Sequence, residues 1–429
     1  MEEKNLSFEV KRLGECCIPS PMDTMNFVRD EDHVLYHSTL PEIQAFLEQG
    51  KKPPHFELVG PLENIYFDPS KLKCGIVTCG GLCPGLNDVI RAIVLGLYHN
   101  YGVEAVFGFP FGYKGLTHSH AHTPLELTPG MVEDIHVKGG TILGSSRGPH
   151  DVSEMVDTLE RMNVSILFAI GGDGTLRGVQ AISEEIGRRG LKISVIGIPK
   201  TIDNDIAYVD VSFGFETAVS ESRTAITSAH TEAIGAINGI GLVKLMGRES
   251  GFIAAYAALA NNDVNFCLVP EAPFSLGAFL EVLKTRLENR GHAVIVAAEG
   301  AGQSLMSESE QKDASGNIRF EDIGLFLKER INAFFKKVGM KVELKYIDPS
   351  YTIRSLPANS RDSAFCLLLG HNAVHAGMAG RTNMVVGYWK GQFTHVPIPL
   401  AVSERKQIDP EAWLWGNVLS CTGQPRKIM

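Results

Sequence analysis

From about residue 73 onward, the chain alternates short apolar runs with longer amphipathic segments. The apolar runs are rich in β-branched residues and lead into glycine-rich or charged loops; they are KCGIVTC, SILFAI, KISVIGI, GIGLVKLM and HAVIVAA. After the first run, Val89, Ile90, Ile93, Val94 and Leu97 recur at helical spacing. Near-continuous apolar strands that alternate with helices predict an α/β fold in which helices cover both faces of parallel sheets.

The unusual loops all follow the carboxyl ends of the predicted strands. These loops are GGLCPGLND, GGDGT, PKTIDND, GRESG, and Glu299 with the GAG after it. In parallel sheets covered by helices, ligands bind beyond the carboxyl ends of the strands. The sequence therefore predicts ligand binding at these loops.

The two ends of the chain lack this pattern. Residues 1–70 show weak periodicity and several prolines, so we interpret them as an N-terminal extension packed on the main body. The polar segment around 304–323 is predicted to be a surface excursion, and 401–429 a C-terminal tail or arm.

The composition is that of a folded protein without a general affinity for polyanions. Of 429 residues, 44% are hydrophobic and 21% are charged, and the length favours roughly two to three domains. A net charge of −9 argues against a nucleic-acid or anionic-membrane partner, although a local arginine cluster can still bind phosphate. No apolar stretch reaches the ~18 residues of a membrane helix, and the amino terminus lacks a signal-peptide pattern. With eight scattered cysteines and no CxxC pair, we expect a cytoplasmic protein.

The loop GGDGT, from Gly171 to Thr175, lies between a predicted buried strand and a predicted helix. Backbone amides at a helix amino terminus bind anions, and glycine lets phosphate approach closely. Asp173 stands where a magnesium ion that bridges phosphates needs a carboxylate. The alternative is an ordinary strand-to-helix turn with an aspartate cap.

The loop TCGGLCPGLND, from Thr78 to Asp88, is a second glycine-rich connection. It matches neither of the two familiar nucleotide-binding fingerprints, and a tight turn with close helix packing explains it equally well. Two such loops in one α/β unit favour a nucleotide triphosphate as the ligand.

The segment PKTIDND, from Pro199 to Asp205, carries two carboxylates and a hydroxyl. Side chains two residues apart share a face of an extended segment, so we expect Thr201, Asp203 and Asp205 to line one side. A carboxylate pair beside a hydroxyl suits removal of a proton from a substrate alcohol. The alternative is an Asx-rich turn after the strand.

Three arginines adjoin small or polar residues in predicted strand-end loops: Arg147, Arg248 and Arg354. Phosphoryl transfer needs such groups because the charge of the transferring group must be neutralised. A single arginine is more often a solvated or packing residue, so only the joint pattern of the three favours a phosphate site. Glu299 suits binding of sugar hydroxyls, and the alternative is a capping or ion-pair role. The histidines of HSHAH, at 118–122, have no Cys, Asp or Glu spaced to complete a metal site, so we predict none there.

Together, these loops resemble those of 6-phosphofructokinases. GGLCPGLND, GYKGL, TILGSSRG, GGDGT, PKTIDND, KLMGRESGF, VAAEGAG and YIDPSYTIRS occur in the family's order between about residues 58 and 400. The leading segment LVGPLENIYFDP is similar to that of the long ATP-dependent group found in plants, trypanosomatids and some bacteria. The resemblance implies two Rossmann-like parallel-sheet domains with the active site between them. Residues 71–215 with about 355–400 would bind the phosphoryl donor, and 216–354 the sugar phosphate.

The resemblance also implies roles for individual residues. Asp203 would take the proton from the 1-hydroxyl of fructose 6-phosphate, Thr201 and Arg248 would assist catalysis, and Asp173 would hold Mg²⁺. The residues implied for ATP are Gly80, Arg147, Gly148, Gly172, Asp173, Gly174 and Thr175. Those implied for the sugar phosphate are Thr201, Ile202, Asp203, Met246, Gly247, Arg248, Glu299, Tyr351, Thr352, Ile353 and Arg354.

Two positions bear on the choice of donor. Gly174 is typical of the family's ATP users, whereas pyrophosphate users usually carry an aspartate that would crowd and repel the α-phosphate of a nucleotide. Lys200 is typical of pyrophosphate users, although the plant and trypanosomatid ATP enzymes resemble this sequence in combining the two. We predict ATP as the donor, because the steric and charge filter at position 174 acts directly.

The chain departs from the short bacterial members of the family. Gly239 stands in the register of an arginine that there reaches the substrate phosphate across a subunit boundary. Lys345 stands in the register of a second such arginine, and Tyr351 replaces a histidine. The effector site of the short enzymes is therefore not carried over, while the family implies a homo-oligomer, a tetramer or a dimer.

Three other functions compete with this interpretation: a pyrophosphate-dependent phosphofructokinase, an NAD or lipid kinase, and a non-catalytic sugar-phosphate-binding regulatory protein. GGDGT also occurs in the second class, but PKTIDND together with MGR argues against it. The third class would be expected to have lost Asp173 or Asp203, and both are present.

Overall fold

The apolar runs after residue 73 form parallel strands. In the computed structural model, which describes residues 7–120, 122–306 and 320–429, the strand Ile166–Gly171 lies between Lys73–Thr78 and Ser194–Pro199 and runs parallel to both. Every residue of Ile166–Gly171 is buried, which explains why this run has no polar position. The predicted α/β fold class is confirmed.

The described residues form two compact units. Unit 1 contains the described residues up to Thr201, together with Ile206–Gly214 and Leu356–Glu404. Unit 2 contains Ile202–Asp205, the described residues of 215–355, and Arg405–Met429.

Unit 1 is built on a mixed sheet that has nine strands among the described residues. From edge to edge they are His33–Leu35, His55–Leu58, Gln392–Pro397, Met384–Trp389, Ser194–Pro199, Ile166–Gly171, Lys73–Thr78, Ala105–Phe109 and Leu125–Glu126. The five strands from Met384–Trp389 to Ala105–Phe109 are parallel, and the others pair antiparallel. The N-terminal extension thus supplies the two strands at one edge. Two short ribbons pair Lys11–Arg12 with Arg381–Thr382 and Ile18–Pro19 with Asn64–Ile65.

Helices accompany this sheet, and most of them bury an apolar face, whereas Leu40–Glu48 has no buried residue. The α-helices are Leu40–Glu48, Leu86–Leu95 (continued by the π-helix Gly96–Asn100), Pro129–Val132, Val152–Arg161, Asp173–Arg188, Ser360–Met378 and Ile398–Ala401. Short 3-10 helices are Pro69–Lys71, Gly112–Leu116, His118–His120 and Ile135–Val137. Asp173–Arg188 buries Leu176, Val179, Ile182 and Ile186, the side that its helical spacing predicts.

Unit 2 is built on a parallel sheet with four strands among the described residues. Their order is Phe266–Leu268, His292–Ala298, Gly239–Leu245 and Glu343–Ile347. The α-helices are Phe215–Ile234, Phe252–Ala260, Leu276–Arg290, Ile323–Lys337, Ser350–Arg354 and Trp413–Thr422, with a 3-10 helix at Gln303–Leu305. Its core contains Phe279, Leu283, Ile295 and Phe335, all fully buried, so this unit has a hydrophobic core of its own.

Two further observations concern the whole described chain. All eight cysteines lie in the described residues, and none of them forms a disulfide. Within the described ranges, no helix combines the length and the apolar character that crossing a membrane requires.

Candidate active site

In unit 1, the strand Ile166–Gly171 passes directly into the helix Asp173–Arg188, and Gly172 is the N-cap of that helix. Gly171 has no room for a side chain, because a Cβ there would lie 2.1 Å from Oγ1 of Thr175. The first amides of a helix have no partner within it, and they carry the positive end of the helix dipole. The predicted GGDGT loop therefore forms the amino terminus of a helix, a kind of place at which proteins can bind anions.

Gly174 differs from Gly171 in that packing does not require it. A Cβ at Gly174 would have no atom of the described residues within 4 Å, and the residue does not adopt positive φ. The fold therefore tolerates a side chain at position 174. The absence of one leaves space free at the helix amino terminus.

Asp173 is the first residue of this helix, and its carboxylate is partly exposed. Its Oδ2 lies 3.1 Å from Nε of Arg177, one turn along the helix. Among the residues described, no three His, Cys, Asp or Glu side chains group together as a metal site. Mg²⁺ typically uses one or two carboxylates and completes its shell with water and substrate phosphates. A single carboxylate beside an anion-binding helix terminus fits this requirement.

The loop after strand Lys73–Thr78 contacts the segment that contains Arg147. The amide of Gly80 donates a hydrogen bond to the carbonyl oxygen of Ser146 at 3.0 Å, and Oγ of Ser145 donates to the carbonyl oxygen of Gly80 at 2.6 Å. Arg147 is exposed, and Gly148 follows it. Three of the residues predicted to bind the donor, Gly80, Arg147 and Gly148, therefore lie close together.

Lys200 joins this group from the neighbouring strand. Its amide donates to the carbonyl oxygen of Gly171 at 3.0 Å, and its Nζ donates to the carbonyl oxygen of Gly81 at 2.9 Å. A Cβ at Gly172 would lie 3.2 Å from the carbonyl oxygen of Lys200. Lys200 thus links the two glycine-rich loops of unit 1.

The segment after Pro199 is a turn and not an extended strand. Residues 202 and 203 form the turn, and Asn204 has a φ of 55°, a left-handed conformation that asparagine tolerates better than most residues. The prediction that Thr201, Asp203 and Asp205 line one side of an extended segment is therefore wrong, and the Asx-rich turn describes the backbone correctly. Oδ1 of Asp203 is buried from solvent, and Asp205 is 8% exposed.

In unit 2, the loops after two neighbouring strands touch through their backbones. The amide of Gly300 donates to the carbonyl oxygen of Gly247 at 3.1 Å, and a Cβ at Gly300 would lie 1.5 Å from the carbonyl oxygen of Arg248. Only glycine permits this approach. As a result, Nε of Arg248 and Oε1 of Glu299 lie 4.0 Å apart, and Met246 leads into the same loop.

Glu299 lies in an environment that disfavours its charge. Burial raises the pKa of the Glu299 carboxyl, while the positive charges of Arg248, Lys244 and Arg354 oppose this rise. A carboxyl group held beside an arginine and withdrawn from water suits hydrogen bonding to the hydroxyl groups of a sugar.

The helix Ser350–Arg354 brings the last group of predicted residues together. The guanidinium carbon of Arg354 lies 4.6 Å from the centre of the Tyr351 ring, which is 75% exposed. Nε of Arg354 is buried and has no hydrogen-bond partner among the described residues. The side chain of Ile353 is buried in the core, as is that of Ile202 in its own segment, so these two can contribute only backbone atoms to a ligand.

Comparison with known proteins identifies the family. Residues 73–377 match the family described as Phosphofructokinase. This chain belongs to the phosphofructokinase family. It is 48% identical over 439 aligned residues to the ATP-dependent 6-phosphofructokinase of Borreliella burgdorferi, an alignment that covers 99% of this chain and 98% of that protein. It is 47% identical to ATP-dependent 6-phosphofructokinase 7 of Arabidopsis thaliana, covering 93% and 82% of the two chains.

A solved structure shows the same fold. A pyrophosphate-dependent phosphofructokinase from Marinobacter aquaeolei is similar to this phosphofructokinase with a TM-score of 0.67 and 19% identity, covering 81% of this chain and 91% of that one. The resemblance found in the sequence motifs is confirmed, and so is the link to the long ATP-dependent group. The individual site roles stay predictions.

This phosphofructokinase also contains a polar cluster that the sequence motifs did not indicate. Nζ of Lys244 lies 2.7 Å from Oδ2 of Asp322 and 2.8 Å from Oδ2 of Asp348. Burial acts to lower the pKa of Lys244, but the hydrogen bonds with both carboxylates outweigh it and raise this pKa. Asp348 in turn accepts hydrogen bonds from Ser350, at the start of the helix that carries Arg354. The one feature of the sequence that could have indicated this cluster is Lys244 itself, a charged residue inside the apolar run GIGLVKLM.

Proposed function

We propose that this phosphofructokinase transfers the γ-phosphoryl group of ATP to the 1-hydroxyl of fructose 6-phosphate, forming fructose 1,6-bisphosphate and ADP in glycolysis. Its relatives from a bacterium and a plant, near half identical over almost the whole chain, bear the name ATP-dependent 6-phosphofructokinase. Unit 1 offers the backbone amides of a helix terminus and the carboxylate of Asp173, and unit 2 offers arginines and the carboxylate of Asp203. Phosphoryl transfer needs groups of these kinds.

The acceptor is activated by Asp203. Its carboxylate accepts the proton of the 1-hydroxyl as that oxygen forms a bond to the γ-phosphorus, and the bond from phosphorus to the bridging oxygen of ADP breaks. Arg248 and Arg354 bind the phosphate of the sugar, and Glu299 accepts hydrogen bonds from its hydroxyls. Thr201 assists catalysis and binding of the sugar phosphate beside Asp203.

The donor is bound by unit 1. Amides at the start of the helix Asp173–Arg188 and the loops at Gly80 and Arg147 bind phosphate oxygens. Asp173 would hold Mg²⁺, which when bound neutralises charge on the phosphates. Little covalent chemistry is required of the protein, so positioning and electrostatic stabilisation account for most of the catalysis.

The observation that best supports ATP as the donor is the open space at Gly174. Because the fold does not require glycine there, its presence is explained by room for the nucleotide. Lys200 favours the alternative donor, pyrophosphate, in the family pattern. In this chain, however, Nζ of Lys200 is bonded to the carbonyl oxygen of Gly81, a structural role that is compatible with either donor.

Formation of fructose 1,6-bisphosphate from fructose 6-phosphate and magnesium, with ATP and pyrophosphate compared side by side, tests the proposal. Turnover with ATP alone is expected. Turnover with pyrophosphate alone means that Lys200, and not Gly174, sets the donor. No turnover with either donor favours the regulatory protein. Gel filtration and subcellular fractionation test the homotetramer and the cytoplasmic location, which stay predictions.

A further inference from the structure

The guanidinium group of Arg405 bridges two carboxylates of unit 2. Its Nη1 lies 2.5 Å from Oδ2 of Asp205, and its Nε lies 3.0 Å from Oε2 of Glu249. The Asp205 side chain is 9% exposed, so its charge has little access to water and needs a partner. The planar guanidinium can serve two carboxylates at once, whereas an ammonium acts as a single point charge.

The two carboxylates that Arg405 joins each stand next to a residue of the proposed chemistry. Asp205 follows the general base Asp203 by two residues, and Glu249 directly follows Arg248. Arg405 itself is far away in the sequence and lies outside every motif of the site. The ion pairs therefore couple the turn that carries the base to the loop that carries the phosphate-binding arginine.

Hydrogen bonds to backbone carbonyl oxygens also join the same segments, without involving the Arg405 side chain. The amide of Lys406 donates to the carbonyl oxygen of Asp205 at 2.9 Å, and Oγ of Ser250 donates to the carbonyl oxygen of Lys406 at 2.6 Å. Nε2 of Gln407 donates to the carbonyl oxygen of Glu249 at 2.8 Å. None of these bonds involves the Arg405 side chain, so a mutation of Arg405 removes the two ion pairs and leaves these bonds available.

We propose that Arg405 is a positioning residue for phosphoryl transfer. It neutralises Asp205 and holds Glu249, and through them it fixes the orientations of Asp203 and Arg248. This inference rests on the proposed function of those two residues. In this proposal Arg405 acts on the reaction only through these residues.

The test is steady-state kinetics of Arg405→Ala with ATP and fructose 6-phosphate. We expect kcat to fall at least about tenfold, since a small misplacement of reacting groups has effects of this order or larger. We expect KM for fructose 6-phosphate to rise and KM for ATP to change little. Because the Arg405 side chain is 31% exposed, millimolar guanidinium should restore part of kcat, and sodium chloride at the same ionic strength should not.

Arg426→Ala is the matched control, because Arg426 pairs with Glu411 in the same carboxyl-terminal part of the chain. It should leave kcat and both KM values unchanged. If Arg405→Ala folds poorly, Arg405→Lys keeps the charge and should still raise KM for fructose 6-phosphate and lower kcat.

A merely structural Arg405 would lower the amount of folded enzyme and leave both KM values as in the wild type, without rescue by guanidinium. That result overturns the inference while the proposed function stands. Absence of turnover in the wild type overturns both.

Discussion

Nζ of Lys200 donates a hydrogen bond to the carbonyl oxygen of Gly81, with 2.9 Å between the two atoms. Gly81 lies in the loop between strand Lys73–Thr78 and helix Leu86–Leu95, so this bond connects Lys200 to that loop. Lys200 is buried, with 6% of its surface exposed. An ammonium group has three donors, and one of them supports the loop beside the proposed donor site. The lysine therefore has a structural reason to be present in an enzyme that uses a nucleotide.

Donor choice is expected to depend on position 174. Gly174→Asp should lower kcat/KM for ATP by about tenfold or more, because a carboxylate there repels the phosphates, and like charges brought together cost several kcal/mol. Rates with both donors measure this. Gly416→Asp is the control. A Cβ at Gly416, like one at Gly174, would have no described atom within 4 Å, and Gly416 also lies near the start of a helix, Trp413–Thr422. An unchanged kcat/KM for ATP in Gly174→Asp would contradict the idea that position 174 selects the donor.

The assignment of Asp203 as general base predicts a selective loss. Asp203→Asn keeps the shape of the side chain and removes the proton acceptor, so kcat should fall by about 10²- to 10⁴-fold. Binding of fructose 6-phosphate, measured by calorimetry, should change far less, because the arginines that hold its phosphate are intact. Normal kcat in this variant would mean that another group takes the proton.

The parallel sheets could be predicted because burial on both faces leaves a local mark in the sequence. Ile166–Gly171 is buried at every position, and its run SILFA lacks charged residues for that reason. Helices with one buried face, such as Asp173–Arg188, show the corresponding helical period. The glycine-rich loops stand at the ends of such strands, so their position followed from the strands themselves.

Contacts between distant segments left no such mark. His33–Leu35 and His55–Leu58 are short and mix polar with apolar residues, so nothing local shows that they extend the sheet of unit 1. The turn at Asn204 depends on the positive φ of that residue. The sequence IDND is compatible with this conformation but does not require it. Arg405 meets Asp205 across 200 residues of sequence, and no spacing rule reaches that far.

Gly239 shows how structure explains a departure from the short bacterial enzymes. A Cβ at this position would lie 2.1 Å from the carbonyl oxygen of Ala233. An arginine cannot stand there without moving the strand Gly239–Leu245 or the helix Phe215–Ile234. Gly239→Arg is therefore expected to reduce the yield of folded protein, which soluble expression and circular dichroism measure; a well-folded variant would contradict this.

The cluster around Lys244 is expected to support the sugar-phosphate half of the site. Lys244→Met leaves Asp322 and Asp348 without their shared cation, and loss of a partly buried ionic partner should lower the free energy of unfolding by about 1–3 kcal/mol. KM for fructose 6-phosphate should rise, because Asp348 holds the start of the helix Ser350–Arg354. Lys284→Met, which removes an exposed pair with Glu288, is the control for both urea unfolding and kinetics.

The buried carboxyl of Glu57 predicts acid sensitivity of unit 1. Burial acts to raise its pKa, but His395 and the guanidinium groups of Arg381 and Arg12 outweigh burial and lower the pKa of Glu57 to about 2. Burial lowers the pKa of His395, and its hydrogen bond with Glu57 opposes that shift.

Because this carboxyl has a lower pKa in the folded state than its ordinary value of 4.5, its contribution is complete above pH 4.5 and is lost as the pH falls toward about 2. Glu57→Gln should therefore be less stable than the wild type at pH 7, by about 1–3 kcal/mol. The difference should shrink at pH 3.5, as urea midpoints at the two pH values would show. A difference that stays constant with pH would mean that Glu57 stabilises the edge of the sheet by packing and not by charge.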